Sequence, residues 1–309
     1  MKVFVTGGAG YIGSMLVPEL LSSGYEVCVY DSLLFGGNSL LSHFRNPNFS
    51  FVRGDIRDTE SLRKEVEKVD VIIHLAAIVG YPACEKDHSI TTEVNLVSTM
   101  NLVNMARDNN KIILFGSTGS NYGRVEGVCT EETPLNPLSL YGTTKTEAEK
   151  YMMENCNAIA YRFATAFGLS PRLRLDLLVN DFTNKAINDK YIVVYESHFM
   201  RTFIHVYDIA RSFMFALNNL DIMVGNVYNV GDDSMNYSKK EVCEKIHNVT
   251  PYFLHLADIG SDADQRDYVV SYDKIASLGF NTTIGLEEGI KELVNGISVI
   301  KFDNPYTNV

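Results

Sequence analysis

The sequence is poor in three things, and each shortage removes a class of protein. It has only five cysteines, Cys28, Cys84, Cys129, Cys156 and Cys243, an odd number, widely scattered and with no C-x-x-C pair. Neither a zinc knuckle nor a disulfide framework fits that pattern, and reduced, mostly buried thiols of a cytoplasmic protein are expected. No apolar run approaches the ~20 residues of a membrane span, and a first strand starting at Lys2 leaves no room for a signal or transit peptide. Basic residues are few: 27 Lys and Arg against 38 Asp and Glu give a net charge of −11, with no basic run to bind a nucleic-acid backbone. The seven histidines show no H-E-x-x-H or other ligand spacing, so no metal site is expected.

What remains has the composition of a globular chain, 46% hydrophobic over 309 residues. Short continuous apolar runs alternate with helical spacing: KVFVT (2–6), a helix over 11–23, EVCVYD (26–31), FSFVRGD (49–55), a helix near 58–67, and VDVIIHLAA (69–77). A long helix within 88–108, KIILFGS (111–117), a helix over 139–155 and NAIAYRF (157–163) follow. Strands apolar along their whole length, separated by helices, predict an α/β fold with a Rossmann-type, doubly wound parallel sheet. Beyond residue 168 the rhythm weakens. The spacing predicts a domain over 1–167 and a smaller, mixed domain over 168–309, part of which, near 201–232, returns to the first. With no linker between them, the two share a cleft.

The first strand runs into TGGAGYIG, with Gly7, Gly10 and Gly13 three apart. Glycines there let the backbone approach a pyrophosphate, and the amides and dipole of the following helix stabilise its charge. A tight turn alone needs fewer glycines. Asp31 ends the second strand, where a carboxylate accepts from an adenosine ribose and repels a 2′-phosphate, favouring NAD over NADP. Asp55 and Ile56 follow the third strand and would flank the adenine.

Tyr141 and Lys145, in SLYGTTKTEAEKY, lie one helical turn apart. A lysine ammonium and a positive nicotinamide ring would favour the phenolate and lower the tyrosine pKa from ~10. Such a tyrosine can take the proton of a sugar or alcohol hydroxyl. Two solvated helix residues would show the same spacing. Thr118 favours the catalytic reading, because it stands at the carboxyl end of the fifth strand, where sites of parallel sheets form; a turn threonine is its plain alternative.

Taken together, TGGAGYIG, YDSL, RGDIRD, HLAA, Asn95 in EVNL, STGSNYG, ETPLNPLSLYGTTK, RFATAFG and RTFIHVYD resemble the extended short-chain dehydrogenase/reductases that act on nucleotide sugars. The run from RFATAFG to HFMRTFIHV resembles the branch with GDP-heptose 4-dehydrogenases and nucleotide-sugar 4-epimerases. The resemblance implies NAD on Gly7, Gly10, Tyr11, Ile12, Gly13, Asp31, Asp55, Ile56, Leu75, Ala76, Ala77, Asn95, Ser117, Tyr141 and Lys145. It implies a reacting triad of Thr118, Tyr141 and Lys145. A nucleoside-diphosphate sugar would sit on Thr118, Thr165, Arg201 and Arg266, with both arginines on the diphosphate. It also implies a homodimer, in which the outer faces of helices 88–108 and 139–155, with Val94, Val97 and Met100, pair across a two-fold axis. The sequence departs from the family pattern in two respects, the first of them concerning the dehydratases. Their Asp-Glu pair after the threonine is replaced by Gly119 and Ser120, and YESHFM (195–200) replaces the usual glycine-rich loop. A 4,6-dehydratase and a non-catalytic NAD-binding sensor are the competing readings.

Overall fold

In the computed structural model, which describes residues 1–257, 259–260, 266–299 and 308, the first five apolar runs form parallel strands. They are β1 (Lys2–Thr6), β2 (Glu26–Asp31), β3 (Phe49–Arg53), β4 (Val71–His74) and β5 (Ile112–Thr118). Two later strands complete a seven-stranded sheet in the order Asn226–Val230, Ala158–Phe163, β5, β4, β1, β2, β3. The order reverses at β1, and a crevice opens at the carboxyl ends of the strands there.

Pleating divides each strand between two cores. Val3 and Val5 of β1 pack on one face with Val29, Leu16, Leu20 and Phe213. Phe4 packs on the other with Ile72, Phe115, Leu102 and Met152. Both faces are covered, so β4 is buried along its whole length, and the strands read as unbroken apolar runs. A third core, with Phe167, Phe203, Val242, Ile246, Ile290 and Leu293, belongs to the chain after residue 166. Four cysteines are buried and Cys156 is half-buried; all five are free. Among the described residues no helix is long and apolar enough to cross a membrane.

The expected long helix within 88–108 is broken. His88–Thr92 and Ser98–Asp108 are α-helical, and Glu93–Val97 between them is a π-turn. Such bulges widen a helix by one residue and re-aim a side chain. Here the residue is Asn95, whose amide accepts from the Ile78 N–H at 2.8 Å and donates to the Ile78 carbonyl at 2.9 Å.

At the end of β4, His74 lies between the hydroxyls of Thr6 (2.7 Å) and Thr99 (2.9 Å), and burial pushes its pKa down to about 3. Below ~6.5 the unfolded chain binds a proton at this imidazole and the folded chain does not. Stability should therefore be full above that value and fall as pH drops towards 3, by on the order of 3–5 kcal/mol from this residue alone. Urea unfolding from pH 7 to 4 should show a shallower decline for His74→Gln than for the unaltered chain; equal declines would clear His74 of the effect.

Candidate active site

The crevice at the reversal is one continuous cleft of about 980 Å³. Its floor at one end is the turn after β1. Gly7 donates to the Tyr30 carbonyl (2.9 Å), Gly10 to Gly7 (3.1 Å) and Ser14 to Gly10 (2.9 Å), so the chain doubles back into the helix Gly13–Ser22. A Cβ on Gly13 would stand 2.5 Å from the Gly8 Cα, so only glycine fits that fold of the backbone. A Cβ on Gly10 would meet only the Gly7 carbonyl, at 3.2 Å, and otherwise the open cleft. The helix has no side-chain cap at its N-terminus, which leaves its first amides for an anion. This cradle fits a dinucleotide pyrophosphate.

Asp31 lines the same end, its carboxylate accepting from the Ala9 N–H at 3.0 Å and the Leu33 N–H at 2.8 Å. Those amides hold the carboxylate toward the cleft, and burial raises its pKa above the ordinary value. Asp55, Ile56, Leu75, Ala76, Ala77, Tyr11 and Ile12 also line the cleft. The Asp55 carboxyl is held below its usual range by Arg57, whose guanidinium is 2.7 Å away. Replacing Asp31 by alanine should weaken NAD binding by about 10–100-fold, the worth of a charge-assisted hydrogen bond, and narrow its advantage over NADP. Calorimetry giving equal NAD and NADP affinities in the unaltered chain would take this role from Asp31.

Thr118, Tyr141 and Lys145 meet at the other end, with Ser117 beside them. Ser139 caps the helix Leu140–Asn155 by accepting from the Gly142 N–H at 3.1 Å, which aims Tyr141 and Lys145 inward from its first two turns. Thr118 is within hydrogen-bond reach of the Tyr141 phenol. The expected lowering of the phenol pKa invokes the positive ring of the cofactor as well as Lys145; the protein's own groups, taken together, act the other way. Burial pushes the phenol pKa up to about 12, outweighing the Thr118 hydroxyl and the charges of Arg174 and Arg266. Lys145 cannot reverse this, because burial pushes its own pKa down to about 7, and its ammonium sits 3.8 Å above the Phe115 ring.

Glu149, one turn beyond Lys145, holds up the lysine's pKa from below. It also accepts from the Ser117 hydroxyl (2.5 Å) and pairs with Arg162 (2.7 Å), both charges being buried. Arg162 in turn donates to the Tyr122 hydroxyl at 3.1 Å, which donates to Asn229 at 2.6 Å. This network ties the triad to the two outer strands of the sheet.

The two arginines expected on the diphosphate part company. Arg266 lines the cleft and donates to the Ser120 hydroxyl. Arg201 is buried behind it, donating to the Met200 carbonyl (2.9 Å) and to the Arg266 carbonyl. Arg201 does not line the cleft, and its bond to the Arg266 carbonyl makes it a support for Arg266. Asn95 likewise stands behind the cleft wall, on the Ile78 backbone. Thr165 lines the cleft. Four cleft-lining cations were not foreseen, Arg53, Arg57, Arg172 and Arg174. Arg172 stacks on Phe35 at 4.5 Å, and Arg174 pairs with Asp176 at 2.5 Å. The paired arginines in SPRLRLD were the only signal, with no periodicity to give them a direction.

A model of the NAD dependent epimerase/dehydratase family matches residues 3–231. UDP-glucose 4-epimerase of Lactobacillus helveticus is 30% identical over 281 residues, covering 81% of this chain and 82% of that one. The dTDP-glucose 4,6-dehydratase of an Actinoplanes species is 28% identical over 314 residues, 95% of this chain and 97% of its own. Among solved structures, UDP-glucuronic acid 4-epimerase from Bacillus cereus, in complex with UDP-glucuronic acid and NAD, superposes with a TM-score of 0.87 at 26% identity, over 96% of this chain and 99% of its own. With the phosphate cradle, the acid at the end of β2 and the Thr-Tyr-Lys cluster in place, the chain belongs to the NAD dependent epimerase/dehydratase family and its cofactor is NAD.

Proposed function

We propose that this protein oxidises carbon 4 of a nucleoside-diphosphate sugar and removes no water from it, with 4-epimerisation or net 4-dehydrogenation as the outcome. The relatives include both 4-epimerases and 4,6-dehydratases, so the reading rests on the site. One observation carries it. Among the described residues the only carboxylates lining the cleft are Asp31 and Asp55, both at the adenosine end. Dehydration needs an acid and a base near carbons 5 and 6, in addition to the group that handles the carbon 4 hydroxyl. After Thr118 stand Gly119, without a side chain, and Ser120, engaged by Arg266. Glu196 and His198 of the 195–200 loop do not line the cleft.

In this reading the Tyr141 phenol exchanges a proton with the 4-hydroxyl, and Thr118 donates to the same oxygen. NAD, when bound, supplies the acceptor for the hydrogen that leaves carbon 4. Lys145, titrating near neutrality, adjusts the charge beside the phenol and the cofactor ribose. Arg266, Arg172 and Arg174 surround the diphosphate with guanidinium donors. Residues 1–167 carry the cofactor and 168–309 the sugar nucleotide, with 201–232 returning to the first. Assay against a panel of UDP-, dTDP- and GDP-linked sugars, GDP-heptose included, should give a product isomeric with its substrate or two hydrogens lighter. A product lighter by one water would overturn the reading.

We also propose a homodimer through helices 88–108 and Leu140–Asn155. Val97 is exposed on the first, and Met100 is half-buried. Val94, expected on that face, is instead buried in the chain's own core against the cleft. Light scattering at micromolar concentration should give twice the chain mass; the mass of one chain would contradict it.

A further inference from the structure

The cleft has two halves that are far apart in sequence. The phosphate turn brings Tyr11 and Ser14, and the segment after Phe167 brings Arg172 and Arg174. A set of buried and part-buried hydrogen bonds spanning some 157 residues of sequence joins them. The Tyr11 hydroxyl donates to the Gly168 carbonyl at 2.7 Å. Ser170 donates to the Tyr11 carbonyl at 2.7 Å and is also 2.7 Å from the Ser14 hydroxyl, to which the Arg172 N–H points at 3.3 Å.

At the centre is Asn180, in the first turn of the helix Leu178–Asn188 and wholly buried. Its carbonyl oxygen accepts from the Gly168 N–H at 3.0 Å. Its amide nitrogen donates to the Arg174 carbonyl at 2.8 Å, and to the Tyr11 hydroxyl and the Gly168 carbonyl at 3.3 Å each. One side chain thus touches the cofactor turn, the glycine that redirects the chain at φ +106°, and the backbone of a cleft arginine. No sequence argument placed Asn180 in the site, and it does not itself line the cleft.

We propose that Asn180 is a positioning residue that couples the two halves, so that cofactor and nucleoside diphosphate each strengthen the binding of the other. The physical basis is ordering. Cofactor seated on the phosphate turn fixes Tyr11, Tyr11 and Asn180 fix the 168–174 segment, and the guanidiniums of Arg172 and Arg174 then meet the diphosphate with less conformational freedom left to lose. Linkage requires the effect to be reciprocal. The inference rests on the nucleoside-diphosphate site proposed above.

Equilibrium dialysis of the holoenzyme measures it, as the dissociation constant of NAD with and without saturating UDP or GDP as the probe. The unaltered protein should hold NAD about 5–50-fold more tightly with the probe present, within the usual range of coupling between sites. Asn180→Leu should reduce that ratio towards one, while NAD binding without the probe changes far less. Tyr11→Phe, which deletes one hydroxyl and keeps the ring, should reduce it in the same sense, and the double variant should lose no more than either alone, because both break one path. Should Asn180→Leu fail to unfold cooperatively, Tyr11→Phe carries the test. A ratio of one in the unaltered protein, or an undiminished ratio in a folded variant, overturns the coupling role. If neither UDP nor GDP binds the NAD-loaded protein, the proposed substrate site fails instead.

Discussion

Tyr141→Phe should cut turnover by ~10²–10⁴ while leaving the fold and the bound NAD as they were. The substitution removes one oxygen from a ring that burial already holds in place, so packing is retained and only the proton-exchanging group is lost. Because burial pushes the resting phenol up to about 12, little phenolate exists at neutral pH without the cofactor's positive ring. Activity should accordingly rise with pH through whatever lower pKa the loaded enzyme confers. Single-turnover rates for the two proteins at several pH values check this, with NAD content measured alongside. Near-normal turnover in the phenylalanine variant would move the base elsewhere. A loss accompanied by loss of NAD would mean the tyrosine acts through cofactor binding.

Glu149→Leu should destabilise the protein by about 3–5 kcal/mol, because it leaves the Arg162 guanidinium buried without its carboxylate. Among the described residues Arg162 then keeps only the Tyr122 hydroxyl and the Glu131 carbonyl as hydrogen-bond partners. Replacing both charges, Glu149→Leu with Arg162→Met, should recover most of that loss, since two apolar side chains of similar volume no longer strand a charge. Urea unfolding of the two variants against the unaltered chain measures both effects. A loss under about 1 kcal/mol for the single variant would mean that water reaches the arginine. The same substitution should lower the Lys145 pKa further below about 7, because Glu149 is the charge that holds it up.

The parallel sheet was legible because β1, β2, β4 and β5 are apolar on both faces and each is punctuated by turn chemistry. That Gly7, Gly10 and Gly13 and the group Thr118, Tyr141 and Lys145 share one cleft was legible because the glycine turn and Thr118 stand at the carboxyl ends of parallel strands and the Tyr-Lys spacing keeps both side chains on one helix face. The second half was less so. The helix Lys239–Val249 carries a capping box between Ser238 and Glu241, a local signal that marks its start. The helix Leu178–Asn188 has no side-chain cap, so nothing in SPRLRLDLLVNDF announces where it begins. Strand Arg124–Cys129 pairs with Asp267–Val270 across a register shift, a non-local choice that no window of sequence contains. Arg201 was expected in the cleft and stands behind it, and Arg172 lines the cleft with no expectation attached, for the same reason. Which face of a short strand or irregular segment points into a cleft is decided by tertiary packing. The burial that raises the Tyr141 pKa in the chain without cofactor was also out of reach, since the Tyr-Lys spacing does not report it.

The claim on which the rest depends is that chemistry occurs at carbon 4, beside Thr118 and Tyr141. It is tested most directly with a nucleotide sugar from the active set carrying deuterium at carbon 4, turned over once by the NAD-loaded enzyme. The account predicts slower turnover than with the unlabelled sugar, no such slowing with deuterium at carbon 3 or 5, and a product that has lost no water. Turnover indifferent to deuterium at carbon 4 but slowed by deuterium at carbon 3 or 5, or a product lighter by one water, would contradict it.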